Sequence, residues 1–217
     1  MKNMDNREDF AYKKPQIEEI SALDDTSDIK IIGTLFDTYI LIERAGKFIL
    51  IDQHAGHERL LFDRFSKELE SKEVAIQPLL IPYILETNYQ ENAFIMENIE
   101  VIRQMGFDID DFGDNTYKIG AVPMLFKDVN IREFFDEILS DLDGKIVITK
   151  DQSIRDYVAK SACKAAVKGN DKLTKNEIIT LVRDLYKPNQ VLLCPHGRPI
   201  IIEFSQKEIE KWFKRIV

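Results

Sequence analysis

The run Ile29-Lys-Ile-Ile-Gly-Thr-Leu-Phe-Asp-Thr-Tyr-Ile-Leu-Ile42 decides how the chain is read, together with Glu43-Arg-Ala-Gly46, Lys47-Phe-Ile-Leu-Ile51 and Asp52-Gln-His-Ala-Gly-His-Glu58. Its β-branched and aromatic residues predict a strand to Ile42, a turn over 43–46 and a second strand over 47–51, which pair as a hairpin. From His54 the period changes. Leu61, Phe65 and Leu69 recur at four-residue spacing with Glu and Lys opposite, which predicts a helix as far as Lys72.

Downstream, Pro78 and Pro82 punctuate a connection leading into a strand that ends at Leu85. Thr87 with Gln90 reads as a capping box for a helix carrying Phe94, Ile95, Ile99 and Ile102 and stopping at Gly106. Strands over Phe107–Phe112 and Tyr117–Val122 flank Gly113-Asp-Asn115, and a helix over Ile131–Leu142 precedes a short strand Lys145–Thr149. This middle segment reads β-α-β-β-α-β. Helical character resumes over Gln152–Lys168, and Thr174 with Glu177 caps another helix reaching Tyr186. Val191-Leu-Leu193 and Pro199-Ile-Ile-Ile202 read as strands, and Ser205 with Glu208 opens a final helix to Ile216.

The fold class expected is α+β, with two α/β subdomains. Residues 29–74 and 151–217 form one discontinuous subdomain, and the acidic β-α-β-β-α-β-like segment 75–150 is inserted into it as an external, regulatory unit. Residues 1–28 are polar and acidic without a sustained apolar period, and are expected to be a linker or frayed tail.

Composition narrows the class. Of 217 residues 44% are apolar and 31% charged, enough for a sizeable core. No apolar run approaches the ~18 residues of a membrane helix, and the first ten residues lack a signal-peptide core, so a cytoplasmic location is expected. Two cysteines make no disulfide framework. The net charge of −8 divides as −4 over residues 1–28, −1 over 29–74, −8 over 75–150 and +5 over 151–217. Overall acidity opposes strong autonomous DNA binding, whereas the basic last third leaves room for phosphate contacts.

The chemistry-bearing residues are few and clustered. Of three histidines and two cysteines, four lie in Asp52-Gln-His-Ala-Gly-His-Glu58 and Cys194-Pro-His196. His54 and Glu58 are one helical turn apart on one face, and Cys194 and His196 share one face of an extended chain. With Cys163 they form an imidazole, carboxylate and thiolate set suited to Zn²⁺ rather than Mg²⁺ or Ca²⁺. Asp52 also fits a helix N-cap, Cys163 a small core residue and His196 a turn. Spacing alone leaves structural and catalytic metal equally open. Lys160, Lys164 and Lys168 stripe one face of the helix holding Cys163, and Arg198 adds charge nearby, a pattern that suits either a DNA backbone or a solvated face.

Taken together, Asp52-Gln-His-Ala55 with Glu58, Ser161-Ala-Cys-Lys164, Cys194-Pro-His-Gly-Arg-Pro199 and Phe213-Lys-Arg215 resemble the C-terminal domain family of the MutL mismatch-repair proteins, in its endonuclease-bearing form. The resemblance spans roughly residues 29–217. Three positions depart from the family pattern: Asp63 stands where a second Glu is usual, Lys164 where Arg is common, and Thr34 where Gln is frequent.

The resemblance implies a metal-dependent endonuclease that nicks one DNA strand, with Asp52, His54 and Glu58 catalytic and with Asp52, His54, Glu58, Cys163, Cys194 and His196 as metal ligands. It implies Zn²⁺ in a structural or regulatory role, Mn²⁺ or Mg²⁺ in catalysis, and ATP only through an N-terminal domain outside this chain. The implied partners are a second copy of the chain, double-stranded DNA bound weakly through Lys160, Lys164, Lys168 and Arg198, a mismatch-recognition protein, and the replication sliding clamp. Gln77, Leu79, Leu80, Ile81 and Pro82 resemble the clamp-docking motif. The implied location is cytoplasmic and nucleoid-associated, and residues 1–28 would end an interdomain linker. The competing reading is a non-catalytic dimerisation and clamp-docking module whose zinc is structural.

Overall fold

The computed structural model describes residues 29–127, 129–140, 151–167 and 172–215. Strands β1 (Lys30–Leu35), β2 (Tyr39–Arg44), β3 (Lys47–Asp52) and β7 (Ile201–Ser205) form one antiparallel sheet in the order β1-β2-β3-β7. Strands β4 (Ile76–Glu86), β6 (Thr116–Pro123) and β5 (Asp108–Gly113) form a second, in the order β4-β6-β5. Six helices accompany them among the described residues: α1 (Gln53–Ser71), α2 (Tyr89–Gln104), α3 (Ile131–Ser140), α4 (Asp151–Ala166), α5 (Lys175–Leu185) and α6 (Gln206–Trp212). The fold is α+β, and no described helix is long and apolar enough to cross a membrane.

The run 29–42 departs from its expected single strand. Phe36 and Asp37 take left-handed backbone angles and turn the chain back, so β1 and β2 pair with each other and a three-strand meander replaces the hairpin. The turn is fastened from below: Gln53 Nε2 donates to Asp37 O at 2.7 Å, and the Gln53 N–H donates to Thr38 O at 3.0 Å. The next turn follows its sequence, since Ala45 and Gly46 both have positive φ, the backbone a two-residue hairpin loop requires.

In the middle segment the order β4-α2-β5-β6-α3 matches the expected pattern as far as it is described, and the strand expected over 145–149 lies outside the described residues. The capping box sits one residue later than expected. Asn88 Oδ1 accepts from the N–H groups of Gln90 and Glu91, and Glu91 returns a bond to the Asn88 N–H, while the Thr87 hydroxyl donates to Asn115 O. Asn88→Ala is expected to destabilise the protein by about 1 kcal/mol in denaturant unfolding. Val191–Leu193 forms no strand, only a single bridge from Leu193 to Pro199.

Two apolar clusters hold the structure. One lies beneath the first sheet: Ile40, Ile42, Ile49, Ile51 and Ile201 meet Ile178, Leu181, Val182 and Leu185 of α5. The other gathers Ile95, Ile102, Phe107, Ile109, Tyr117, Ile119, Phe134 and Phe135 with Val158, Ala159, Ala162 and Cys163 of α4. Helix α1 belongs to both, giving Ala55 to the first and Phe65 to the second. At Gly56 it passes so close to α5 that a Cβ there would meet Leu185 Cδ1 at 3.1 Å. Phe65 is fully buried and packs edge-on against Phe126 with ring centroids 4.8 Å apart. Phe65→Ala is expected to cost about 3–5 kcal/mol, read as a lower denaturation midpoint.

Candidate metal centre

Asp52 ends β3 and opens α1. Its Oδ1 accepts from the N–H groups of His54 and Ala55 at 3.0 Å each, so one oxygen of this carboxylate caps the helix. The cap fixes the first turn of α1 against the sheet and sets the direction in which Glu58 projects. His57 is partly buried beside His54, and its pKa falls below the ordinary value, mainly through burial and then through His54, with Glu177 opposing.

Residues 192–200 form a tight hairpin over α1. The Cys194 N–H donates to Arg198 O at 2.8 Å, the Gly197 N–H donates to Cys194 O at 2.8 Å, and the Arg198 N–H points at Cys194 Sγ at 3.3 Å. Gly197 has φ +83°, the left-handed angle that lets the turn close. The result is a cluster: ligand atoms of Glu58, Cys194 and His196 lie within 4.8 Å of one another, with Glu58 and Cys194 buried and His196 at the surface.

Glu58 explains why this cluster points to a cation. It is 6% exposed, and its Oε2 is buried without a hydrogen-bond donor. The groups beside it are His196 Nδ1 at 3.5 Å and Arg198 Nη2 at 3.8 Å, both farther than a good hydrogen bond. A buried carboxylate oxygen left so poorly matched costs stability unless something more positive completes it. A carboxylate, a thiolate and an imidazole are donors that zinc takes, so the residues present fit that ion.

The other residues singled out in sequence fall around this cluster. His54 is one turn before Glu58 on α1, and Cys163 is buried on α4, close enough for Glu58 to help raise its pKa; burial is the larger cause. Neither belongs to the 4.8 Å group found among the described residues. Of the lysine stripe, Lys164 is exposed and paired with Glu137, Lys160 is half-buried, and Lys168 lies outside the described residues. Arg198, expected to contact DNA, is largely exposed and also stands beside Glu58. Gln77 donates to Pro78 O, while Leu80 and Ile81 are 99% and 80% exposed where β4 loses register with β6. Gln53 was legible only as part of a motif; its role in fastening the 36–38 turn had no separate sequence signal.

The fold and the cluster define an α+β domain with a metal-ligand set built between a capped helix and a tight hairpin. A family model described as the MutL C terminal dimerisation domain matches residues 32–173, and the chain belongs to that family. That match takes in Glu58 and stops before Cys194 and His196. The chain is similar to proteins named DNA mismatch repair protein MutL. The one from Clostridium beijerinckii is 41% identical over 193 residues, covering 87% of this chain and 28% of the relative. One from Clostridium botulinum is 41% identical over 191 residues, with the same coverage. That from Thermoanaerobacter pseudethanolicus is 33% identical over 210 residues, covering 97% of this chain and 34% of the relative. The chain thus spans about a third or less of the length of these relatives.

Proposed function

We propose that this chain is the metal-dependent DNA-nicking domain of a mismatch-repair protein, hydrolysing a phosphodiester in one strand and acting as a homodimer. The observation that carries the reading is the convergence of Glu58, Cys194 and His196, with the Glu58 Oε2 buried and lacking a donor. The relatives' shared name supports the repair context. In this reading Glu58, Cys194 and His196 hold Zn²⁺, with His54 and Cys163 close to it. Asp52 and Glu58 serve a catalytic Mn²⁺ or Mg²⁺. When bound, such ions make water more acidic and offset charge developing on the phosphate.

The chain's own residues supply position and charge. Asp52 holds the start of α1, Glu58 provides the anionic anchor, and Arg198 offers an exposed guanidinium at the rim for a phosphate oxygen. Lys164 is already matched by Glu137, so its contribution to DNA affinity is small. The division into a metal-holding unit, residues 29–74 with 151–217, and an inserted unit, residues 75–150, belongs to this proposal. So does docking on a sliding clamp through Gln77, Leu79, Leu80, Ile81 and Pro82, whose exposed Leu80 and Ile81 are free to enter an apolar pocket.

Two experiments test the proposal. Supercoiled plasmid is incubated with the protein and Mn²⁺, with and without sliding clamp. Nicking by the wild type that disappears in Asp52→Asn and Glu58→Lys, with both variants folded, supports the endonuclease. No nicking by folded, zinc-loaded protein under any condition assigns the metal a structural role and leaves dimerisation and clamp docking as the function. Separately, Leu80→Ala with Ile81→Ala is expected to weaken clamp binding by at least about tenfold in a surface-immobilised titration; unchanged affinity removes this segment from the interface.

A further inference from the structure

The hairpin that presents Cys194 and His196 is tied down at two points that flank Glu58 in sequence. On one side the Asp52 N–H donates to Ile200 O at 2.9 Å. On the other, Gln190 Nε2 donates to Asp63 Oδ2 at 2.5 Å, a bond between residues 127 positions apart. Asp52 precedes Glu58 and Asp63 follows it, so the two ties straddle the carboxylate that the hairpin must face.

The second tie is built to be rigid. The other oxygen of Asp63 pairs with Arg59 one helical turn earlier, and the Arg59 guanidinium lies over the Phe62 ring, 5.0 Å from its centroid. Arg59 therefore holds one oxygen of the acceptor while Gln190 takes the other. Asp63 and Gln190 are both partly buried, where a charge-assisted hydrogen bond gains strength over its value in water. The Gln190 backbone bonds only locally, its N–H donating to Lys187 O at 3.2 Å within the preceding turn. Together with Pro188 and Val191, these residues border a cavity of about 710 Å³ between α1, α4 and the 188–191 segment.

We propose that Gln190, which lies in none of the motifs, is a positioning residue: its amide, held by Asp63, fixes the 192–200 hairpin over α1 so that Cys194 and His196 face Glu58. Its consequence for zinc rests on the metal-centre reading; the placement of the hairpin does not.

The test separates the two. Cys194 is 2% exposed and Cys163 fully buried, so alkylation of chelator-treated protein by iodoacetamide, followed site by site by mass spectrometry, reports each position. Gln190→Ala is expected to speed labelling of Cys194 at least about tenfold and to leave Cys163 unchanged. Gln190→Glu, which sets two carboxylates against each other, is expected to exceed it. Asp63→Asn combined with Gln190→Glu exchanges donor and acceptor and is expected to restore slow labelling. Unchanged Cys194 labelling in Gln190→Ala, or equal acceleration at Cys163, overturns the proposal. In parallel, zinc affinity measured against a chromophoric chelator is expected to fall about 10- to 100-fold in Gln190→Ala and to recover in the exchanged pair. Wild-type protein that binds no zinc overturns the metal-centre reading, while the labelling still decides the placement of the hairpin. Wild-type zinc binding that Gln190→Ala leaves unchanged overturns the positioning role.

Discussion

Glu58→Gln is expected to abolish the thermal stabilisation that zinc gives the wild type while leaving the metal-free protein as stable as before, or more so. The substitution keeps the shape of the side chain and removes its charge. The Glu58 carboxylate is buried, with Oε2 lacking a donor and with His196 Nδ1 at 3.5 Å and the Arg198 guanidinium at 3.8 Å, so without zinc the loss of the charge relieves a penalty. With zinc present the balance reverses, because an amide is a poor ligand. At a free zinc concentration about a thousandfold above Kd, binding stabilises the wild type by about 4 kcal/mol, worth roughly 8–16 °C in a chain of this size. Differential scanning calorimetry with and without zinc measures this directly. A zinc-induced shift in Glu58→Gln equal to that of the wild type places the ion elsewhere. Nicking by the same variant is expected to fall by more than about 100-fold, a larger loss than changing a supporting residue around a metal site produces.

Leu41→Glu combined with Leu50→Glu is expected to convert a dimer into a monomer. The first sheet buries one face on α1 and α5, and its other face carries Leu41, Leu50 and Ile202 in one cross-strand row and Phe48 and Phe204 in the next. These side chains are only half-buried, Leu35 on the same face is 42% exposed, and Trp212 of α6 packs edge-on against Phe204 at one end of the face. A four-stranded sheet with one apolar face open is the surface a second copy would cover, and a stable pair needs about 800 Å² from each partner. Two buried carboxylates at its centre oppose that association. Sedimentation velocity is expected to show the wild type at about twice the 25.2 kDa chain mass and the variant at the chain mass. A variant that remains dimeric with a folded spectrum moves the interface to another face.

Much of this architecture was legible because its signals are local. The four-residue period of Leu61, Phe65 and Leu69 marked α1, and Thr174 with Glu177 and Ser205 with Glu208 marked the starts of α5 and α6, each a complete capping box in the structure. The turn at Phe36 and Asp37 has no glycine or proline to mark it, and although Asp37 tolerates positive φ, Phe36 rarely adopts it; a long-range bond from Gln53 holds it. The start of α2 was misplaced by one residue because Thr87 and Asn88 are both good caps, and the choice fell to Asn115, whose carbonyl engages Thr87. Val191–Leu193 has strand composition, but it lies between the bend at Pro188 and the tight turn after Cys194, and finds only the Pro199 bridge.

For the candidate metal cluster, sequence spacing put Glu58 on α1 and Cys194 two residues from His196, but it gave no means of telling which of the six candidate ligands meet. That depends on how the hairpin crosses α1, through contacts between residues far apart in the chain: Asp52 with Ile200, and Asp63 with Gln190. Gln190 stood in no motif and had no local signal.

The most direct test of a metal centre at Glu58, Cys194 and His196 is zinc X-ray absorption on the purified protein loaded with one equivalent of the ion. A mixed shell is predicted, with sulfur at about 2.3 Å and nitrogen or oxygen at about 2.0–2.1 Å, and with the sulfur contribution reduced in Cys194→Ser. A shell of oxygen and nitrogen alone, or a sulfur signal that Cys194→Ser leaves intact, would contradict it.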